Sequence, residues 1–229
     1  MICVTDMEVV SVVSIDEDSG FVYFIGGNPE EPTQRTLYSV TLDPNTAATP
    51  KRLTPESAGG GTHGYAIAPG GRWAVHTVSS FGTPPRVEVI SLPDHKVVQT
   101  MLTNDRLRGR LAGLAHGGAD FFDIENIPGG VGALPAWAIY PPGFERDGPK
   151  RKHPLLVHVY GGPGSCTVTD NWGDRNFLWH VLMAQRGFVV ISVDGRGTPH
   201  PKGRAWRKAQ HLNVGLATAD DHAAAVRSA

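Results

Sequence analysis

Two apolar runs, residues 153–160 and 188–193, flank one stretch of helical period, and that order of patterns admits few folds. The first run, HPLLVHVY, passes directly into Gly161-Gly162-Pro163-Gly164. Apolar runs of this length bounded by turn residues suit strands buried on both faces. Between the runs, residues 174–186 set Phe177, Leu178, Val181 and Leu182 on one helical face, with Asp170 or Asn171 to cap the start and Arg186-Gly187 to end it. The second run, FVVISV, closes on Asp194-Gly195-Arg196-Gly197, and another helix begins near Thr218. Strand, helix, strand, helix is the alternation of an α/β fold with a parallel sheet.

The first half reads differently. Strands are expected at residues 9–15, 21–25, 36–42, 52–54, 65–68, 72–78, 86–91 and 96–101, with a break at Gly26-Gly27-Asn28-Pro29 and a turn at Asp43-Pro44-Asn45. Short strands at this spacing, with no helical period between them, indicate an all-β sandwich, barrel or propeller. Residues 16–25 and 68–78 share a layout: small or acidic residues, glycine, then an aromatic-containing strand. Their separation is about one propeller blade, ~40–50 residues. Residues 104–119 are expected as a polar, glycine-rich connection. Residues 120–125 and 134–140 follow as two strands separated by a glycine-rich turn, and a basic linker at 146–152 leads on to residue 153. The 28 glycines and 18 prolines favour many turns over long helices.

Several function classes lose support at this level. The formal net charge of −1 makes no electrostatic case for nucleic acid or an anionic membrane. No run reaches the ~18 apolar residues of a membrane helix, and no basic-then-apolar leader opens the chain. Cys3 and Cys166 offer neither metal spacing nor a disulfide framework and leave the compartment open. No cofactor motif is present, and none of the ten histidines lies in an H-E-x-x-H arrangement.

A complete catalytic set is missing. No serine has glycine two residues before it, as a G-x-S-x-G elbow requires. Ser165 has Pro163 there and reads as a loop hydroxyl. His158, in mid-strand, reads as a core imidazole. Arg196 could bind a substrate carboxylate, or pair with Asp194 or another neighbour to fix its turn; the second reading is favoured. Trp206-Arg207-Lys208 reads as a packed and solvated surface. Tyr160 stands apart, at the carboxyl end of a strand where open α/β sheets bind ligands. A phenol is a donor at neutral pH and can stabilise the oxyanion of a tetrahedral intermediate. It can equally pack its ring and bond locally; the pattern alone does not separate the two.

Taken as an ordered set, these residues resemble the prolyl oligopeptidase family of serine peptidases, dipeptidyl peptidase IV branch. The resemblance runs through Tyr160-Gly161-Gly162-Pro163-Gly164-Ser165, Asn171-Trp172, Ser192-Val193-Asp194-Gly195-Arg196-Gly197-Thr198 and Gly203-Arg204-Ala205-Trp206-Arg207-Lys208. Upstream it runs through Pro32-Thr33-Gln34-Arg35-Thr36-Leu37-Tyr38, Thr62-His63-Gly64, Ala68-Pro69-Gly70-Gly71-Arg72 and Thr83-Pro84-Pro85-Arg86-Val87. It implies the last blades of a β-propeller over residues 1–115 and the N-terminal half of an α/β-hydrolase domain over 116–229. It implies a peptide substrate, no cofactor, a homodimer as an option for the full-length protein, and an oxyanion-hole role for Tyr160. It also implies that the Ser-Asp-His triad falls after this chain and the acidic clamp for the substrate amine before it, so that the chain is an internal slice, inactive alone. Two departures from the family pattern are the prolines at 199 and 201 and the lack of an acidic residue just before the last helix. Rival readings are another peptidase or esterase of the same architecture (an acylaminoacyl peptidase or an oligopeptidase) or a degenerate propeller binding module.

Overall fold

The computed structural model describes residues 7–28, 30–43, 45, 49–125, 132–146, 148 and 151–228. Cys3, Pro44 of the expected turn, and parts of the 126–133 turn and the 146–152 linker lie outside them. Two compact units emerge: one holds the described residues up to Gly109 together with Thr169–Trp172, the other Arg110–Val168 and the residues from Gly173 onward.

The first unit is a twice-repeated antiparallel meander. β1 (Glu8–Asp16), β2 (Phe21–Asn28), β3 (Glu31–Thr41) and β4 (Lys51–Arg52) pair in sequence order. So do β5 (Thr62–Ile67), β6 (Trp73–Ser80), β7 (Thr83–Ser91) and β8 (Lys96–Leu102). A parallel bridge, Arg35 to Thr62, joins the two sets. The repeated sequence layout falls at the same place in each meander, the hairpin between its first and second strands. There Gly20 (φ 73°), Gly70 (φ 78°) and Gly71 (φ 65°) take the left-handed conformation that glycine adopts without Cβ strain. Tyr23, Ile25, Leu37 and Leu53 of one meander form a common core with Ala74, Ile90 and Leu92 of the other.

The expected break at residues 26–28 is instead strand, and β2 continues through it. Gly26 is needed there because a Cβ would come within 2.8 Å of the Tyr38 ring on the neighbouring strand. A glycine in strand lets an aromatic ring cross the backbone closely.

The second unit contains β9 (Ala119–Ile124), β10 (Leu134–Ile139), β11 (Leu155–His158) and β12 (Val189–Val193), in spatial order β11-β12-β10-β9. The expected parallel sheet is a mixed one. Only β11 and β12, joined by a helical crossover, run parallel; β9–β10 and β10–β12 are antiparallel. The short link from β9 returns β10 antiparallel beside it, whereas the parallel β11–β12 pair needs its helix-length crossover. β10 is buried along its whole length. β11 is an edge among the described residues, so Leu155 and Val159 are exposed and the expected burial on both faces is not found. Ile124, Leu134, Ala136, Ala138, Ile191 and Val193 pack with Trp206, Ala224 and Ala225 into the core.

Four α-helices accompany the strands among the described residues: α1 (Asp105–Ala112), α2 (Asp174–Gln185), α3 (Gly203–Lys208) and α4 (Leu216–Ser228). α1 replaces part of the connection expected at 104–119. It buries no residue, and its start is tied by Arg108, whose guanidinium donates to the carbonyls of Thr103 (2.9 Å) and Pro84 (2.8 Å). α2 turns Phe177, Val181 and Ala184 inward and leaves Leu178 and Leu182 exposed, so the expected four-residue face splits. Spacings of i+4 and i+7 from Phe177 hold one stripe, whereas i+1 lies about 100° round the helix. Neither Asp170 nor Asn171 caps α2, whose N-cap is Gly173 with no side-chain bond. Asp170 belongs to the first unit, where its carboxylate accepts from the Phe81 amide (2.7 Å) and Gln34 Nε2 (3.0 Å), and its carbonyl from the Thr62 hydroxyl (2.9 Å). The C-terminal end of α2 is as expected, with Arg186 at the C-cap and Gly187 at φ 91°.

Candidate active site

β11 ends at His158, and Tyr160 stands two residues beyond it, at the carboxyl end of the parallel pair. The tyrosine is 56% exposed. Its ring lies over its own glycine loop: a Cβ on Gly162 would sit 3.1 Å from Tyr160 Cε1, and one on Gly164 would sit 3.1 Å from Tyr160 Oη. Both distances are tighter than ordinary carbon contacts, so the loop composition allows the ring its position. Gly161, at φ 76°, turns the backbone away from the strand.

Beneath this loop lies a buried polar frame. Asp194, closing β12, accepts from the backbone amides of Thr167 (2.9 Å) and Val168 (2.9 Å) and from the Thr167 hydroxyl (3.1 Å). Ser192 Oγ is 2.6 Å from the His158 carbonyl oxygen and 2.7 Å from Thr167 Oγ1. Trp137 Nε1 donates to the Thr167 carbonyl (3.0 Å). The chain leaving the tyrosine loop is thereby fixed to the end of β12. Burial raises the Asp194 pKa above the ordinary carboxylate value of 3.8, against the opposing effect of the amides that donate to it.

Arg196 pairs with Asp221 of α4, not with Asp194. Its Nε lies 3.1 Å from each carboxylate oxygen and Nη2 lies 2.8 Å from Oδ1. The Arg196 amide also donates to Oδ2 (2.7 Å). The bonds and charge of Asp221 raise the guanidinium pKa. The reading of Arg196 as a turn-fixing residue therefore holds, with a partner 25 residues away. Asp221 was not marked by local sequence, because nothing in its helical neighbourhood points to an arginine on another element.

No hydrogen bond joins the other candidate residues to Tyr160 among the described residues. Ser165 is exposed and its hydroxyl donates to the Cys166 carbonyl (3.4 Å), as befits a loop hydroxyl. His158 ends β11 instead of standing in mid-strand and is partly, not fully, buried; its ring centroid lies 4.7 Å from that of His180 and 6.3 Å from that of Trp137, in an aromatic cluster. Burial lowers the pKa of both histidines, that of His180 to about 4 with help from His158. His153 Nδ1 donates to the Gly187 carbonyl (3.2 Å). Trp206 is buried in α3, with Nε1 donating to the Thr198 hydroxyl (3.3 Å), while Arg207 and Lys208 are exposed. The arrangement can offer one phenol donor from the glycine loop to a ligand at the strand end.

Known proteins match this chain along nearly its whole length. Residues 2–85 match the family model for the dipeptidyl peptidase IV N-terminal region, and residues 176–229 match that of the prolyl oligopeptidase family. A probable dipeptidyl peptidase 4 of Aspergillus flavus is 30% identical over 98% of this chain and 28% of its own length. Dipeptidyl peptidase 4 of Trichophyton equinum is 30% identical over 97% of this chain and 27% of its own length. The crystal structure of Porphyromonas gingivalis dipeptidyl peptidase 4 superposes with a TM-score of 0.84 at 29% identity, covering 99% of this chain and 30% of that one. The chain thus spans under a third of the length of the relatives it matches.

Proposed function

Because the chain belongs to the dipeptidyl peptidase IV branch of the prolyl oligopeptidase family, we propose that it forms part of a serine exopeptidase that releases dipeptides from peptide N-termini through an acyl-enzyme. Tyr160 is the residue assigned to the chemistry. When a serine oxygen attacks the scissile carbonyl, the carbonyl oxygen becomes an oxyanion, and the phenol of Tyr160 donates a hydrogen bond to it. A donor held before the reaction needs no reorganisation when the charge develops, which is how such groups lower the barrier. The observation that carries this reading is the seating of an exposed phenol on a glycine loop at the carboxyl end of β11. The dipeptide specificity rests on the names of the relatives.

The two meanders are read as closing blades of a β-propeller within residues 1–115, and residues 116–229 as the first half of an α/β-hydrolase domain. No serine lies in a G-x-S-x-G elbow, so the nucleophile and its Asp and His partners are assigned outside these 229 residues, and the chain by itself is not expected to hydrolyse peptides. The test is Tyr160→Phe in an active peptidase that contains this chain, assayed on a dipeptidyl chromogenic substrate. Loss of one oxyanion donor lowers kcat by about 10²–10³. An unchanged kcat removes Tyr160 from the mechanism.

A further inference from the structure

We propose that Gln210 is the positioning residue of the tyrosine loop, clasping the Gly161 carbonyl so that Tyr160 keeps its phenol where the oxyanion forms. The inference rests on the role proposed for Tyr160. Gln210 follows α3 and is 2% exposed. Its side-chain amide reaches three segments far apart in sequence. Nε2 has two protons and three acceptors within reach, the Gly161 carbonyl (3.1 Å), the Arg196 carbonyl (2.8 Å) and the Thr218 hydroxyl oxygen, so one N–H is shared between two of them. The directions are consistent, because the Thr218 hydroxyl donates its own proton to the Arg196 carbonyl (2.9 Å) and leaves its oxygen to accept. Gln210 Oε1 in turn accepts from the Gly215 amide (3.3 Å).

The surrounding glycines make room for this clasp. Gly197 is at φ 91°, and a Cβ there would come within 2.3 Å of Gln210 Cγ and 2.6 Å of Nε2. Gly161 abuts α4, where a Cβ would meet Thr218 Cγ2 at 3.4 Å and His222 Cε1 at 3.5 Å. The peptide after Tyr160 is thus held on one side by α4 and on its carbonyl by Gln210. A hydrogen bond from a buried amide to a backbone carbonyl restrains the peptide directly, and its loss leaves that acceptor unsatisfied. Misplacing a donor by about 1 Å is enough to cost about 10²-fold in rate.

Two measurements on Gln210→Met, which keeps the side-chain length and has no donor, test the assignment. In the 229-residue chain, amide hydrogen exchange at Tyr160, Gly161, Gly162 and Gly164 is expected to rise about tenfold while exchange in β12 stays within about twofold. Unchanged exchange at 160–164, or equal loosening throughout β12 and α4, overturns the proposal. If Gln210→Met does not fold, the same measurement on Gln210→Glu, of nearly the same shape and without the amide donor pair, decides. In an active peptidase containing this chain, Gln210→Met is expected to lower kcat about tenfold with KM within about twofold, the pattern of a lost transition-state interaction. A kcat that holds while the 160–164 amides open leaves the clasp standing and removes the role proposed for Tyr160.

Discussion

Arg196 and Asp221 form a two-pronged ion pair in which the carboxylate is almost fully enclosed and the guanidinium keeps 26% of its side-chain surface in solvent. The pair joins the turn after β12 to α4, so it fixes the helix that backs the tyrosine loop. Its asymmetry gives the first prediction. Removing the arginine strands a buried carboxylate, whereas removing the aspartate frees an arginine that can turn outward. Arg196→Ala is expected to lose about 2–4 kcal/mol and Asp221→Asn distinctly less. Urea denaturation of both variants checks this, and the reverse order contradicts it.

The tyrosine seat can be disturbed without touching the phenol. Gly162 and Gly164 are outside the left-handed region, so alanine costs little backbone strain there, but its methyl group would press on the Tyr160 ring or hydroxyl. In an active peptidase, Gly162→Ala and Gly164→Ala are each expected to lower kcat by about 10-fold or more, with melting temperatures near the parent's. Unaltered kcat in both would mean that the ring position has no bearing on turnover.

In the first unit, His63, His76 and Tyr65 stack in the interior of the second meander and His95 meets Tyr65 and His76 edge-on, with His63 Nδ1 2.9 Å from His76 Nε2 and His76 Nδ1 3.6 Å from Glu88 Oε2. Burial lowers the pKa of His63 from 6.5 to about 4 and that of His76 from 6.5 to about 3, with the neighbouring histidines and Arg86 adding to the effect. Lowered folded values mean that the unfolded chain binds these protons more readily. The stability is therefore fully present above pH 6.5 and is lost as pH falls from 6.5 toward 4, by at most about 1.4 kcal/mol per pH unit for each histidine. Urea midpoints measured across this window should fall with pH, and His76→Gln should flatten the slope. A slope unaffected by that substitution would assign the acid sensitivity elsewhere.

Asp194 has the opposite sign. Its raised pKa means that the folded state holds the proton more tightly, so this contribution favours folding at low pH and is lost as pH rises through the folded value, above 3.8. Asp194→Asn should remove that component while leaving one side-chain oxygen to accept from Thr167 or Val168. Comparing the pH dependence of the urea midpoint for the two proteins over about pH 4–7 tests it. Identical curves would show that Asp194 does not titrate in this range.

Both ends of the first unit's strand order, β1 and β8, are edges among the described residues and expose apolar side chains: Val9, Val10, Val12 and Ile15 on one, Val97, Val98, Met101 and Leu102 on the other. Unpaired apolar edges template pairing with another chain. The 229-residue chain is expected to self-associate in sedimentation velocity, and Val12→Lys with Val98→Lys should reduce the association. A monomer over a wide concentration range would count against it.

The strands were readable because a two-residue alternation is a local property, visible whatever lies opposite. Seven of the eight strands of the first unit lie where alternation and turn residues put them to within three residues; β3 begins five residues before its expected start. Tyr160 was legible as the end of an apolar run entering glycines. Reading failed where a residue's part depends on a distant partner. Leu178 and Leu182 share the apolar character of Phe177 and Val181, and only the sheet beneath α2 decides which pair it covers. Asp170 had the chemistry of a helix cap, yet the Phe81 amide and Gln34 claim its carboxylate.

By itself, then, the sequence determined the order of elements, the family to which they belong and the candidate donor at the end of β11. The frame around that donor was decided in three dimensions. Arg196 finds Asp221 25 residues on, Asp194 finds Thr167 27 residues back, and Gln210 reaches Gly161 49 residues back. A buried polar group must be satisfied by whatever the fold brings within about 3 Å. Chain separation carries no record of that distance.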